Sequence, residues 1–236
     1  MKIHNVPQGT PQWLALRLGI PTASEFDKIV TPKTGKLSAS APKYACKLIA
    51  ERLLNRPVQS LDGLAYIERG KELEPQAVRQ YGFENDVETD PVGFITNDAG
   101  TIGASPDRLI RGRPAGVEIK CPAAHTHVAY LLEGHDEKYR PQVQGQLYVA
   151  EFDYVDFYSF HPRMPPALIR TPRDTAYIAL LHNALDEFND RMAGMLERAK
   201  SLGIFQAYED IATPVEVEFG DKLREGPPVG ELEDSW

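Results

Sequence analysis

Ser105-Pro106-Asp107 is followed, eleven positions after the aspartate, by Glu118-Ile119-Lys120, so the chain carries the pattern D-x(10)-E-x-K. Side chains alternate between the faces of a strand, which sends Glu118 and Lys120 to one side, and an aspartate in the turn after a neighbouring strand can reach them. Two acids and an amine would then share one place. Carboxylate oxygens are hard ligands suited to Mg²⁺, which takes one or two of them and otherwise keeps waters and phosphate oxygens. Such an ion offsets the charge of a phosphodiester and makes a bound water a usable nucleophile near neutral pH. Lys120 would stand beside that water or the developing negative charge. The competing description is a turn aspartate plus an edge-strand Glu/Lys pair, a combination that short-motif matches often produce by chance.

The elements that must position these residues are partly visible. Thr10-Pro11 reads as a helix cap followed by proline at the first helical position, and Thr22 with Glu25 has the form of a capping box. Lys33 to Ser40 is a polar loop, after which Tyr44, Leu48, Ile49 and Leu53 recur at helical spacing. Leu64 to Tyr81 reads as helix, with a kink or break expected at Pro75. From Val87 to Cys121 the texture changes to short apolar runs, Val92 to Thr96, Thr101 to Ala104 and Val117 to Cys121, separated by turn residues. Helix returns at Val128 to Leu132 and Glu137 to Val149, and Tyr154 to Phe160 is an aromatic-rich strand. Thr171-Pro172 reads as the start of a long helix whose stripe, Ile178, Leu181, Leu185, Phe188, Met192 and Leu196, is core or subunit interface. The expected fold class is α/β (α+β), a central mixed sheet flanked by helices. One domain is expected over residues 1–213, with a loosely held acidic tail over 214–236.

Composition narrows the function classes. Hydrophobic residues make up 42% and charged residues 25% of the 236, close to the average soluble globular protein and unlike a fibrous or wholly disordered chain. Cys46 and Cys121 are too few for a disulfide framework or a cysteine-held iron–sulfur cluster, and a reducing cytoplasm fits. No apolar leader or run of ~18 apolar residues is visible. The net charge of -8 argues against a nucleic-acid partner, but DNA meets a local face and carboxylates around a metal ion are neutralised by it. His125 and His127 lack a third ligand at zinc spacing.

With the SPD and EIKCP segments in view, the chain resembles the lambda exonuclease family of phage-type alkaline exonucleases and its YqaJ-like viral recombinase relatives. Trp13, Arg17, Gly19, Thr22, Ala23, Ser24 and Glu25 match that family's W-x(3)-R-x-G-x(2)-T-A-S-E opening, and Gly70 with Glu74 its G-x(3)-E segment. Tyr139, Gln142 and Gln144 match its Y-x-x-Q-x-Q helix, and Pro162-Arg163-Met164 the stretch after the aromatic strand. The resemblance covers about residues 10 to 165. It implies a restriction-endonuclease-like core and a processive Mg²⁺-dependent 5′→3′ exonuclease on double-stranded DNA, one that releases mononucleotides and leaves a 3′ single strand. Mn²⁺ would substitute for Mg²⁺. By the same resemblance Asp107, Glu118, the Ile119 carbonyl and Glu74 would ligate two metal ions, and Lys120 would act on the nucleophilic water. Arg17, Ser24 and Ser105, with Tyr139 beside them, would bind the 5′-phosphate, and Gln142 with Tyr139 would line the site. Trp13 is assigned to the core. Pro75 after Glu74 and Pro141 before Gln142 depart from the family pattern and predict shifted backbone there. The family further implies a homotrimeric ring, a single-strand annealing partner, and a phage- or prophage-encoded protein in the bacterial cytoplasm.

Two other function classes stay open on the residues alone. The D-E-x-K core also serves restriction endonucleases and junction resolvases, which would cut a covalently closed circle. A catalytically inactive DNA-binding scaffold is the other, and a Mg²⁺-dependence assay on linear duplex separates it.

Overall fold

Two sheets carry the polar motifs in the computed structural model, which describes residues 1–58 and 64–203. The chain opens with β1 (Lys2–His4), α1 (Pro11–Arg17), a 3-10 helix (Ala23–Lys28), α2 (Ala41–Leu54) and α3 (Leu64–Asn85). Five strands follow: β2 (Thr89–Pro91), β3 (Phe94–Thr96), β4 (Gly103–Ala104), β5 (Arg108–Ile110) and β6 (Ala115–Lys120). Then come α4 (Ala124–Glu133), a 3-10 turn (Glu137–Tyr139), α5 (Arg140–Val149), β7 (Tyr154–Ser159), β8 (Ala167–Pro172) and α6 (Thr175–Ser201). One sheet has the order β1-β3-β4 and the other β2-β5-β6-β7-β8. Among the named strands of the described residues, only β6 and β7 pair in parallel, Glu118 opposite Phe157 and Lys120 opposite Ser159. A parallel pair needs a crossover, and α4 and α5 provide it.

The strand β6 is covered on both faces. Val117 and Ile119 pack with Ala77 and Tyr81 of α3 and with Tyr158 and Phe160. Alternation therefore sends Glu118 to the opposite face, toward α5. There the larger core gathers Phe26, Tyr44, Leu48, Leu147, Phe157, Leu181 and Phe188. Gly145 lets α5 lie close on the first 3-10 helix, since a Cβ there would stand 2.5 Å from the Phe26 ring.

Several local expectations hold and several change. Thr10 caps α1 by accepting from the Trp13 amide, with Pro11 in the first turn. Thr22 makes no side-chain cap bond, so the capping box is absent and its hydroxyl is free for another partner. Of the kink or break expected at Pro75, the break is absent: α3 continues through it to Asn85. Pro141 falls in the first turn of α5, where a missing N–H costs nothing, so the expected backbone shift has no cause there. Thr171-Pro172 ends the edge strand β8 rather than opening a helix; α6 begins at Thr175 behind Asp174, whose side chain accepts from the Tyr177 amide. Proline is tolerated at an edge strand because no ladder partner needs its N–H. The α6 stripe is core: Leu181, Leu185, Phe188 and Met192 are buried against α2 and α5, with Leu196 packed beside them. Residues 214–236 lie outside the described residues. Among the described residues no helix is long and apolar enough to cross a membrane.

Candidate active site

Asp107 enters the site just before β5. Its amide donates to the Val117 carbonyl at 3.1 Å, and its Oδ2 accepts from the Ile119 amide at 2.6 Å. The carboxylate is thereby tied to the backbone of β6 between Glu118 and Lys120. The Glu118 side chain is almost wholly buried and takes three donors. Lys120 Nζ and Gln142 Nε2 each reach Oε1 at 2.6 Å, and Gln146 Nε2 reaches Oε2 at 2.5 Å. Gln142 and Gln146 stand one turn apart on α5, so one helix face grips both oxygens.

The electrostatics follow from two carboxylates sharing a buried place. Burial, with Glu118 adding, raises the Asp107 carboxyl well above the ordinary carboxylate range against the opposing pull of Lys120. Burial works against the Lys120 charge, yet Glu118 and Asp107 outweigh it and hold the ammonium above the usual lysine value. Burial also raises Glu74, with Arg108 opposing and Glu118 adding. In this arrangement the ammonium serves Glu118 as the counter-cation.

The second group assembles around Arg17. Its Nη1 donates to Ser105 Oγ at 3.0 Å, and its Nη2 to Thr22 Oγ1 at 3.2 Å and to Ser24 Oγ at 3.4 Å. The guanidinium lies 4.2 Å from the centre of the Trp13 ring. The indole donates to the Gly93 carbonyl at 3.0 Å and to Ser105 Oγ at 3.2 Å. Burial lowers the Arg17 pKa, and among the described residues no carboxylate lies within ion-pair distance of it. Trp13, expected in the core, is only partly buried and serves as the platform under Arg17.

A cleft of about 1100 Å³ joins the two groups, lined by Trp13, Arg17, Thr22 and Ser24 and by Glu74, Asp107 and Arg108. The expected Arg17, Ser24 and Ser105 set therefore comes together. Tyr139 does not join it: its ring lies 5.4 Å from Lys120 Nζ and its hydroxyl accepts from Tyr130 at 3.3 Å. Ile119 contributes its N–H to Asp107. Glu74 lines the cleft, but among the described residues no three Asp, Glu, His or Cys side chains form a metal-holding cluster. His127 is buried, with Nδ1 against Ser159 Oγ at 2.7 Å and Nε2 against the Pro165 carbonyl at 2.9 Å, so both nitrogens are engaged in the core.

Sequence reasoning gave Thr22 no place beside Arg17 and did not single out Arg108 or Gln146. Helical spacing from Gln142 was the available signal for Gln146, and adjacency to Asp107 that for Arg108, whose Nε and Nη2 donate to Thr89 at 3.1 and 2.7 Å.

Comparison with known proteins matches residues 12–153 to the YqaJ-like viral recombinase domain. The chain belongs to that family. The matched span holds every residue of both groups. A search of curated proteins finds no match. Among solved structures, the alkaline exonuclease LHK-Exo of Laribacter hongkongensis is similar, with 30% identity and a TM-score of 0.72 over 86% of this chain and 100% of that one. The structure of LHK-Exo in complex with dAMP gives 32% identity and 0.73 over the same shares. A phage-related exonuclease from Haemophilus somnus 129PT, 18% identical, shares the fold with a TM-score of 0.59 over 75% of this chain and 96% of that one. The five-stranded mixed sheet flanked by helices is accordingly the restriction-endonuclease-like core of a YqaJ-family member.

Proposed function

We propose that this YqaJ-family chain is a Mg²⁺-dependent exonuclease that degrades double-stranded DNA from 5′ ends, releasing 5′-mononucleotides and leaving a 3′ single strand for annealing. The observation that carries the reading is the single cleft with a guanidinium and hydroxyls at one part and acids at the other. Kinship with an alkaline exonuclease captured with dAMP, a deoxynucleoside monophosphate, supports it.

The donor set fits a hard divalent cation. Asp107, just before β5, and Glu118, on the neighbouring β6, are two carboxylates with no sulfur or imidazole between them, within the one or two that Mg²⁺ takes from protein. Mn²⁺ fits the same oxygens. When bound, such an ion offsets phosphate charge and lowers the pKa of a coordinated water. Asp107 and Glu118 would hold it, helped by the Ile119 carbonyl, and Glu74 would serve a second ion.

The chain's own groups divide the remaining work. Arg17 offers a fork to a terminal 5′-phosphate, with hydroxyls from Ser24, Ser105 and Thr22 completing the cradle. This holds the next scissile bond in register. Lys120 stands against Glu118 Oε1, where its ammonium faces the attacking water or the charge that develops on phosphate. Gln142 steadies the same carboxylate oxygen. The trimeric ring and the annealing partner belong to the proposal through the lambda-type resemblance; the α6 stripe no longer supports the ring, because it is buried within one subunit.

Digestion of end-labelled linear duplex with and without Mg²⁺ tests the reading. Mononucleotide release from the 5′ label, only with the ion, is the expected result. Cutting of a covalently closed circle, or no cutting of linear duplex, overturns it.

A further inference from the structure

Gln146 is used by nothing in the mechanism above, yet it makes one of the tightest polar contacts of the site. Its side chain is almost wholly buried on α5, and its Nε2 donates at 2.5 Å to Glu118 Oε2. Its Oε1 is buried with no hydrogen-bond partner among the described residues. Turning the amide over would set two acceptor oxygens against each other, so the carboxylate dictates the orientation and the stranded oxygen is its consequence. A core position that only needed filling would be served better by an apolar side chain, because an unpaired buried amide oxygen is a standing cost. Gln142, one turn earlier, shares Glu118 Oε1 with Lys120 and is less deeply buried. Gln146 has only Oε2.

We propose that Gln146 is a positioning residue for Glu118, fixing Oε2 so that the carboxylate holds one orientation whether it faces the Lys120 ammonium alone or a divalent cation as well. Without the contact, Glu118 can turn about its last torsion and follow the ammonium. With it, the plane of the carboxylate is set before the ion arrives. Partners that orient metal ligands in this way typically alter affinity or activity by roughly 10- to 100-fold when removed. The inference rests on the reading of Asp107 and Glu118 as a cation site.

The test is calorimetric titration of Mg²⁺, and separately Mn²⁺, into the wild-type chain, Gln146→Met and Gln146→Leu, with melting temperatures measured beside them. Gln146→Met keeps the volume and removes both the donor and the stranded oxygen, and Gln146→Leu provides a second apolar replacement. The expected result is a melting temperature at or above wild type with cation affinity weaker by roughly 10-fold or more. In a Glu118→Ala background the same substitution should change affinity no further, which separates action through Glu118 from general disturbance. A folded Gln146→Met or Gln146→Leu chain that binds the cation as tightly as wild type overturns the positioning role alone. A wild-type chain that binds neither cation overturns the cation site itself, and the positioning role falls with it.

Discussion

Lys120 donates a 2.6 Å hydrogen bond to Glu118, two residues back on the same strand, and so binds a carboxylate that the proposed function also gives to a cation. The ammonium and the ion are therefore competitors for Glu118. Lys120→Ala should bind Mg²⁺ at least as tightly as wild type, while cleavage falls by roughly 10²- to 10⁴-fold, the usual contribution of a group acting on the nucleophile's proton. Calorimetry and single-turnover cleavage measure the two separately. Weaker binding in the variant would mean that Lys120 supports the site rather than the chemistry.

Asp107 carries a built-in cost that depends on pH. Its raised pKa, caused first by burial and then by Glu118, means that the folded chain keeps a proton there that the unfolded chain has already released. Stability present below the ordinary aspartate value of about 4 is therefore lost as pH rises through the raised value. Asp107→Asn should melt at a higher temperature than wild type at about pH 8 without divalent ions, with the gap closing toward pH 4. It should also be inactive. Equal melting curves across that range would show that the charge is not held at a cost.

Arg17 should distinguish 5′-phosphate from 5′-hydroxyl ends. Truncating one member of a buried charged pair costs about 2 to 5 kcal/mol, so Arg17→Ala should slow digestion of phosphorylated duplex strongly and of hydroxyl ends hardly at all. Arg17→Lys should recover little, because lysine lacks both the fork that reaches Ser105, Thr22 and Ser24 and the flat face that stacks on Trp13. Equal slowing on both ends would return Arg17 to a structural role.

Away from the site, Asp156 is completely buried and accepts from Tyr81 at 2.7 Å and from both Nε and Nη2 of Arg170 at 2.8 Å. The two sides of this pair are unequal. Arg170→Met leaves a buried carboxylate without its counter-charge and should cost about 3 to 5 kcal/mol. Asp156→Asn leaves a half-exposed guanidinium that water can solvate and a Tyr81 hydroxyl that still has an acceptor, and should cost about 1 kcal/mol. Urea unfolding checks the order, and the reverse order would refute the argument.

What the sequence determined by itself was local. Strand alternation placed Glu118 and Lys120 on one face, Thr10 and Pro11 marked the start of α1, and the apolar spacing of α6 marked its buried side, because each of these depends on residues within a turn or two. The same local logic misread Thr171-Pro172 as a helix start: a hydroxyl before a proline has the same form at the end of an edge strand. The family resemblance had grouped Arg17 with Ser105, 88 residues away, but only the tertiary structure brought Gln146 to Glu118, 28 residues away. It likewise turned Trp13 from a core residue into the floor of a cleft. Those meetings are set by how closely α5 lies on the 3-10 helix and how β5 and β6 register, and such packing is decided by side-chain volumes across the whole core rather than by any short stretch of chain.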